Sequence, residues 1–395
     1  MFGPRARSAS DANVLRRKGH LKEQDRFIQF LLDMHHTHTS LEVMQKVERW
    51  VDEHRRDARG SRLARAVPTV GAFFTPLRLV AAFLEYDTFF ALSRRQHVPP
   101  NFAEMRHVLN LAQVHASAAA IRLVTFDADG TLYADGAHMR SDNEMIALIV
   151  ALLRANVTVA IVTAAGYAGA PERFEARVAG LLDAFAALGL PEATVRRFFI
   201  MGGECNYLLR VAPPGGAAPR ARRRLEFVPD AEWKSPTMAA WRGEDIEALL
   251  DAAQALLLEG AARLRLPVDV VRKERAVGVV PTAPTIYEVL EELAISVQVR
   301  LEAPAGIPFC AFNGGADVFV DVGNKSLGLE ALMAHLGLQP AQVLHVGDRF
   351  TESGNDSATR DCCTILWVAN PEETQWFVAK LLAKMEEARR HRYID

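Results

Sequence analysis

Residues 121–126, Ile-Arg-Leu-Val-Thr-Phe, run straight into Asp127-Ala128-Asp129-Gly130-Thr131. This junction narrows the possible folds more than any other part of the chain. A short apolar run closed by a glycine turn reads as a buried strand. In an open α/β sheet, ligands bind at the carboxyl ends of the strands. Alternation along an extended chain places Asp127 and Asp129 on the same side. Carboxylates that close repel unless a cation sits between them or one takes a proton. The stretch therefore predicts a divalent-metal site with a nucleophile and an acid. The plainer alternative is an Asp turn ahead of Gly130.

Upstream, residues 1–118 carry helical and not strand periodicity. Ser40 is placed to cap a helix through Leu41, Met44, Val47 and Trp50. Thr75-Pro76 signals a helix over 77–86, and Asn101, after Pro99-Pro100, caps one over 102–115. Phe73, Phe74, Phe83, Phe89 and Phe90 call for burial, so this region reads as a helical domain packed on the rest. His35, His36 and His38 fit a turn between helices better than a metal site.

From residue 121 the pattern is strand, helix, strand. Ser141 and Glu144 form a capping box ahead of Met145, and the apolar strand 157–162 ends at Thr163. Residues 180–312 then read as an α/β insertion with its own sheet. Its strands are expected near 198–201, 207–211, 225–228 and 277–280, and its helices over 244–264 and 287–301. The core pattern resumes with a strand at 318–322 and a helix opened by Asn324-Lys325. Strands at 343–346 and 364–368 and a helix over 371–390 follow. The expected domains are 1–118, a core of 119–179 plus 313–395, and an insertion of 180–312.

Composition excludes several functions. A net charge of -2 over 395 residues argues against a general nucleic-acid binder. The basic clusters at 220–224 and 389–392 read as solvated surface. No apolar run is long enough to span a bilayer. The Arg-bearing first twenty residues lack a secretory core and leave open an organelle-targeting role. Cys205, Cys310, Cys362 and Cys363 have no metal-type spacing, and reduced thiols point to the cytoplasm.

The strand-end residues Asp127, Asp129, Thr163, Lys325 and Asp348 form a set suited to phosphoryl transfer. Asp127 would attack phosphorus and Asp129 would serve as acid and then base. Mg²⁺ would be held by Asp127, Asp348 and the carbonyl of Asp129. Lys325 and Thr163 would bind phosphoryl oxygens.

This order, Asp-x-Asp-Gly-Thr, then Thr163, Lys325 and Gly347-Asp348-Arg349-Phe350, resembles the haloacid-dehalogenase-like phosphohydrolases over residues 121–370. The resemblance implies an α/β Rossmannoid parallel sheet with an inserted α/β cap and, here, an N-terminal helical domain. Asp135-Gly136, Phe312-Asn313-Gly314-Gly315 and the run from Asp317 to Lys325 are more closely similar to the IMP-specific 5′-nucleotidases. That resemblance implies an IMP site formed by Asp129, Asp135, Thr163, Asp317 and Lys325, with Asp127 as nucleophile and Asp129 as proton donor. It implies metal binding at Asp127, Asp129 and Asp348, ATP as allosteric activator, and a homo-oligomer, a tetramer being expected. Arg94, Arg95, His97, Arg106 and His107 are candidates for the ATP site. Phe309 and Phe312 would either stack on a base or fill a core. The alternatives are a phosphatase for another nucleotide or a sugar phosphate, and a non-catalytic nucleotide sensor.

Overall fold

The computed structural model describes residues 24–213, 222–302, 306–351 and 353–392. The Arg-bearing first twenty residues, most of the turn at 213–216 and part of the basic cluster at 220–224 lie outside these. The chain opens with helices α1 (Arg26–Met34), α2 (Ser40–Arg56), α3 (Arg62–Ala66), α4 (Leu79–Phe90) and α5 (Phe102–Ser117). Then come β1 (Leu123–Phe126), α6 (Met145–Arg154), β2 (Thr158–Thr163), α7 (Pro171–Arg177), α8 (Ala179–Ala187) and α9 (Glu192–Val195). Strands β3 (Phe198–Gly202), β4 (Tyr207–Val211) and β5 (Leu225–Phe227) precede short helices α10 (Asp230–Trp233) and α11 (Pro236–Ala239). A second layer follows: α12 (Gly243–Arg263), β6 (Val268–Arg272), β7 (Ala276–Pro281), α13 (Tyr287–Arg300), β8 (Phe309–Asn313) and β9 (Val318–Val322). The chain closes with α14 (Lys325–Leu336), β10 (Val343–Gly347), β11 (Thr364–Trp367) and α15 (Pro371–Arg392).

Two sheets organise these elements. The larger runs β11-β10-β1-β2-β3-β4-β5, and the smaller runs β6-β7-β9-β8. Strands β11 to β3 pair in parallel, while β4 and β5 extend the edge antiparallel. The expected insertion of 180–312 therefore needs correction. Strands β3 to β5 belong to the main sheet, and β9, expected in the core, lies in the small sheet. The second layer spans 243–322. The antiparallel β4–β5 edge breaks the run of buried parallel strands, which mimics the start of an insertion. In β9, the side chains of Val318, Val320 and Val322 join the apolar cluster formed with α12 and α13. That alternation marks a half-buried antiparallel strand, not a parallel core strand.

Local signals were displaced in places. Thr39, not Ser40, caps α2 through a capping box with Glu42. Ser141 and Glu144 make no capping box; Asn143 Oδ1 accepts from the Met145 N–H at 2.8 Å instead. Helix α4 starts at Leu79, where Glu48 accepts from the Val80 N–H, while Thr75 donates to Gln113. Phe83 is buried, but Phe89 and Phe90 are 70% and 43% exposed, contrary to expectation. His35 to His38 do form the turn between α1 and α2. Among the described residues no helix is long and apolar enough to cross a membrane.

The helical N-terminal layer shares one apolar cluster with the main sheet, from Ile28 and Met44 through Val124 and Leu344 to Met385. A polar clamp reinforces the join. The Arg106 guanidinium donates to Trp367 O and Glu373 Oε2, both at 2.6 Å, and His107 Nε2 lies 2.9 Å from Glu373 Oε1. Asn110 pairs with both backbone groups of Trp367 on the edge strand β11, covering hydrogen-bonding groups that would otherwise stay open. Burial alone would raise the Glu373 carboxyl, but His107 and Arg106 lower it to about 2. A depressed carboxyl stabilises the fold above its unfolded value of 4.5, and that stabilisation is lost as pH falls toward 2. Glu373→Gln should therefore cost on the order of 2–3 kcal/mol at pH 7. Urea denaturation of both forms should show the gap closing below pH 4.5.

Candidate active site

Strand β1 lies between β10 and β2, parallel to both. Their carboxyl ends meet on one edge, which brings Asp127, Asp348 and Thr163 together from separate stretches of sequence. Asp127 continues the ladder, its N–H donating to Val346 O at 2.8 Å. Lys325 arrives differently from expectation. It follows a strand of the small sheet, then opens α14, where Asn324 Oδ1 accepts from the Leu327 N–H at 3.0 Å. Its side chain is fully buried, with Nζ 2.7 Å from Asp127 Oδ1 and 2.6 Å from Asp356 Oδ1.

Charge in this space is tightly matched. Burial pushes the Asp127 carboxyl up, against the pull of Lys325. Burial would lower the Lys325 ammonium, but Asp127, Asp356 and Glu204 outweigh it and raise it above its usual range. Asp356 moves the other way: Lys325 and the His345 hydrogen bond overcome its burial and hold it well below the ordinary carboxylate range. Ligand oxygens of Asp127, Asp348 and Asp356 all lie within 4.8 Å of one another. Such a set of hard oxygen donors fits Mg²⁺. Gly130 makes the approach possible. It has φ +76°, and a Cβ there would stand 2.7 Å from Asp348 Oδ2.

The Asp129 side chain is not in that acidic trio. Its Oδ2 accepts from Arg177 Nη2 at 2.6 Å and its Oδ1 from the Gly136 N–H at 3.1 Å. Thr163 Oγ1 accepts from the Ala165 N–H at 3.1 Å, so its hydroxyl hydrogen is left to donate elsewhere. Asp135 and Asp317 gather at one lip around Arg349, which lies 3.6 Å from Asp135 and 3.7 Å from Asp348. Arg349 also donates to Asn313 O and Gly314 O, tying the core motif to the end of β8. Burial raises the Asp317 carboxyl, with Arg349 opposing.

Phe309 packs into the apolar core of the small sheet, and Phe312 is buried opposite Phe319. Of the residues put forward for ATP, Arg94 and His97 are exposed. Arg95 is paired with Glu104, and Arg106 and His107 with Glu373.

Four residues of this region carried no sequence signal. Arg177 follows no strand, and Arg349 reads as a spacer in its motif. His345 is masked inside an apolar strand. Glu204 follows Gly202-Gly203 and takes a left-handed φ of 61°. Its Oε1 accepts from Asn355 Nδ2 at 2.8 Å, and burial pushes its carboxyl up to about 7. Asp356, which lies beyond the Gly347-Asp348 motif in the chain, proves central to the acidic trio.

A parallel sheet that delivers Asp-x-Asp, Thr, Lys and a late acidic motif to one edge, beneath an inserted α/β layer, defines the haloacid-dehalogenase-like phosphohydrolase class. Comparison with known proteins narrows it. The family model described as IMP-specific 5′-nucleotidase matches residues 13–378. IMP-specific 5′-nucleotidase 1 of Aspergillus fumigatus is 43% identical over 348 residues, covering 85% of this chain and 75% of that one. The protein of that name from Yarrowia lipolytica is 40% identical over 341 residues, covering 83% and 80%. A substituted, IMP-bound Plasmodium falciparum IMP-nucleotidase has a TM-score of 0.84 at 33% identity, covering 91% of this chain and 96% of that one. Its ATP-bound counterpart gives 0.81 at 34% identity, covering 94% and 87%. The chain belongs to the IMP-specific 5′-nucleotidase family.

Proposed function

We propose that the protein is a Mg²⁺-dependent phosphomonoesterase that hydrolyses IMP to inosine and phosphate through an aspartyl-phosphate. The observation that carries this reading is the Lys325 ammonium, buried between Asp127 and Asp356 and beside Asp348. A buried carboxylate at a strand end, backed by one fixed cation, is placed to meet a phosphoryl group rather than to stabilise a core.

In the first half-reaction an Asp127 oxygen bonds to phosphorus as the phosphorus–ester oxygen bond breaks. Asp129 gives its proton to the departing inosine oxygen. In the second, Asp129 takes a proton from water, whose oxygen bonds to phosphorus and releases Asp127. For the donor role the Arg177–Asp129 contact must loosen as substrate enters. Lys325 and the Thr163 hydroxyl would bind phosphoryl oxygens as charge shifts between them. Mg²⁺, when bound, supplies further positive charge to those oxygens. Asp127 and Asp348 are its candidate side-chain ligands, with the Asp129 carbonyl beside them. Asp356, already accepting from Lys325, His345 and the Arg349 N–H, would support from behind. Asp135 and Asp317 would accept hydrogen bonds from the nucleoside.

ATP would act as allosteric activator at the helical N-terminal layer; the ATP-bound Plasmodium relative supports the binding of ATP. The exposed Leu84, Phe89 and Phe90 on α4 offer an apolar face for a homo-oligomer, a tetramer being expected. Four unpaired cysteines fit a cytoplasmic enzyme. Phosphate release across a panel of nucleoside monophosphates and sugar phosphates, with Mg²⁺ and with or without ATP, tests the substrate and the activation. IMP should be the fastest substrate and ATP should raise its turnover. Equal rates for AMP or a sugar phosphate would defeat the specificity, and indifference to ATP the activation.

A further inference from the structure

His345 sits within β10, fully buried, between Leu344 and Val346. An imidazole in such a strand is costly unless both ring nitrogens find partners. Both do. Thr125 Oγ1 lies 2.8 Å from Nδ1, and Asp356 Oδ1 lies 3.1 Å from Nε2. The pairing of β1 with β10 sets Thr125 directly opposite His345, so the strand register builds this contact.

The hydrogen positions follow from the partners. Asp356 already receives the Lys325 ammonium at 2.6 Å and the Arg349 N–H at 2.9 Å. An ionised carboxylate accepts only, so His345 donates to it from Nε2. The Thr125 hydroxyl, which can donate or accept, holds Nδ1. The ring is satisfied at both ends.

We propose that His345 is a positioning residue for phosphoryl transfer, an imidazole oriented by Thr125 that fixes the Asp356 carboxylate against Lys325. Oδ1 of Asp356 receives His345 and Lys325 together, while Oδ2 receives Arg349. Three donors leave that carboxylate no freedom to rotate. Lys325 Nζ is thereby held 2.7 Å from Asp127, where the phosphoryl group arrives. An apolar side chain at 345 would free Oδ1 to turn. A ring held at both nitrogens keeps it in place.

The choice of substrate for the test rests on the IMP reading. In the full chain, His345→Leu should lose about 10²-fold in kcat with KM within about threefold, the scale expected for a small misplacement of a reacting group. His345→Gln retains an amide donor toward Asp356 and should regain most of that loss. Thr125→Val keeps the shape but removes the hydroxyl, and should lose about tenfold. Wild-type kcat in the leucine variant, or equal losses in the leucine and glutamine variants, would overturn the proposal. If the leucine variant does not fold, wild-type turnover by Thr125→Val overturns it. Nitrogen-15 NMR gives a readout without turnover: His345 Nε2 should carry a hydrogen, and a bare Nε2 refutes the arrangement. Should the wild type hydrolyse a different ester and not IMP, the substrate reading fails while the same variants test His345 on that ester.

Discussion

Asp127→Asn should lower kcat for IMP by about 10⁴-fold or more, while the protein melts no lower than the wild type. The amide keeps the size of the carboxylate and still offers Lys325 Nζ an oxygen at the position now 2.7 Å away. It lacks the carboxylate oxygen proposed to attack phosphorus. Its effect on stability follows from the local charges. Asp127, Asp348, Asp356 and Glu204 crowd around Lys325 and Arg349, and burial already holds the Asp127 carboxyl above its usual range. The fold disfavours the ionised form there, so a neutral isostere relieves repulsion instead of creating it. Reactive groups often carry such a stability cost. Two measurements check the prediction: phosphate release from IMP at saturating substrate, and thermal melting without metal. Turnover within about tenfold of wild type would move the nucleophile elsewhere. A large fall in melting temperature would mean that Asp127 chiefly holds the fold.

The part of this site that could be read from sequence is the part that topology enforces. Asp127, Thr163 and Asp348 each follow an apolar run, and parallel strands must end on the same edge. Lys325 was expected at this edge for a partly mistaken reason, since the strand before it belongs to the second sheet and the reach comes from α14. Arg177 and Glu204 were invisible because their approach depends on loops and helix ends far apart in the chain. His345 was hidden by its own strand: in a run such as Val-Leu-His-Val, period and burial say nothing of which side chain is polar for a purpose. The fold boundaries failed at the β4–β5 edge, where antiparallel strands lack the unbroken apolar character of their parallel neighbours. The caps of α2, α5 and α14 are local hydrogen bonds, so sequence located them to within a residue.

Lys325→Met should be the most damaging single change to stability, by about 3–5 kcal/mol, a fall of roughly 5–15 °C in melting temperature. Methionine fits the space but leaves Asp127 and Asp356 facing one another, buried, without their shared cation. The Lys325 ammonium is held above its usual range, so its contribution is complete below the unfolded lysine value of 10.5 and fades only as pH rises through the higher folded one. The variant's deficit should therefore be steady through neutral pH and shrink in acid, as the stranded carboxylates take up protons. Catalysis should fall about 10²–10³-fold, the usual cost of removing a fixed charge beside developing oxyanions. Combining Lys325→Met with Asp127→Asn separates the two effects. The double variant should recover about 1–3 kcal/mol relative to the sum of the single changes, because one uncompensated charge has gone. It should recover no turnover. Simple additivity in stability would mean that Lys325 and Asp127 do not share their charge, and would remove the electrostatic basis for placing the phosphoryl group between them.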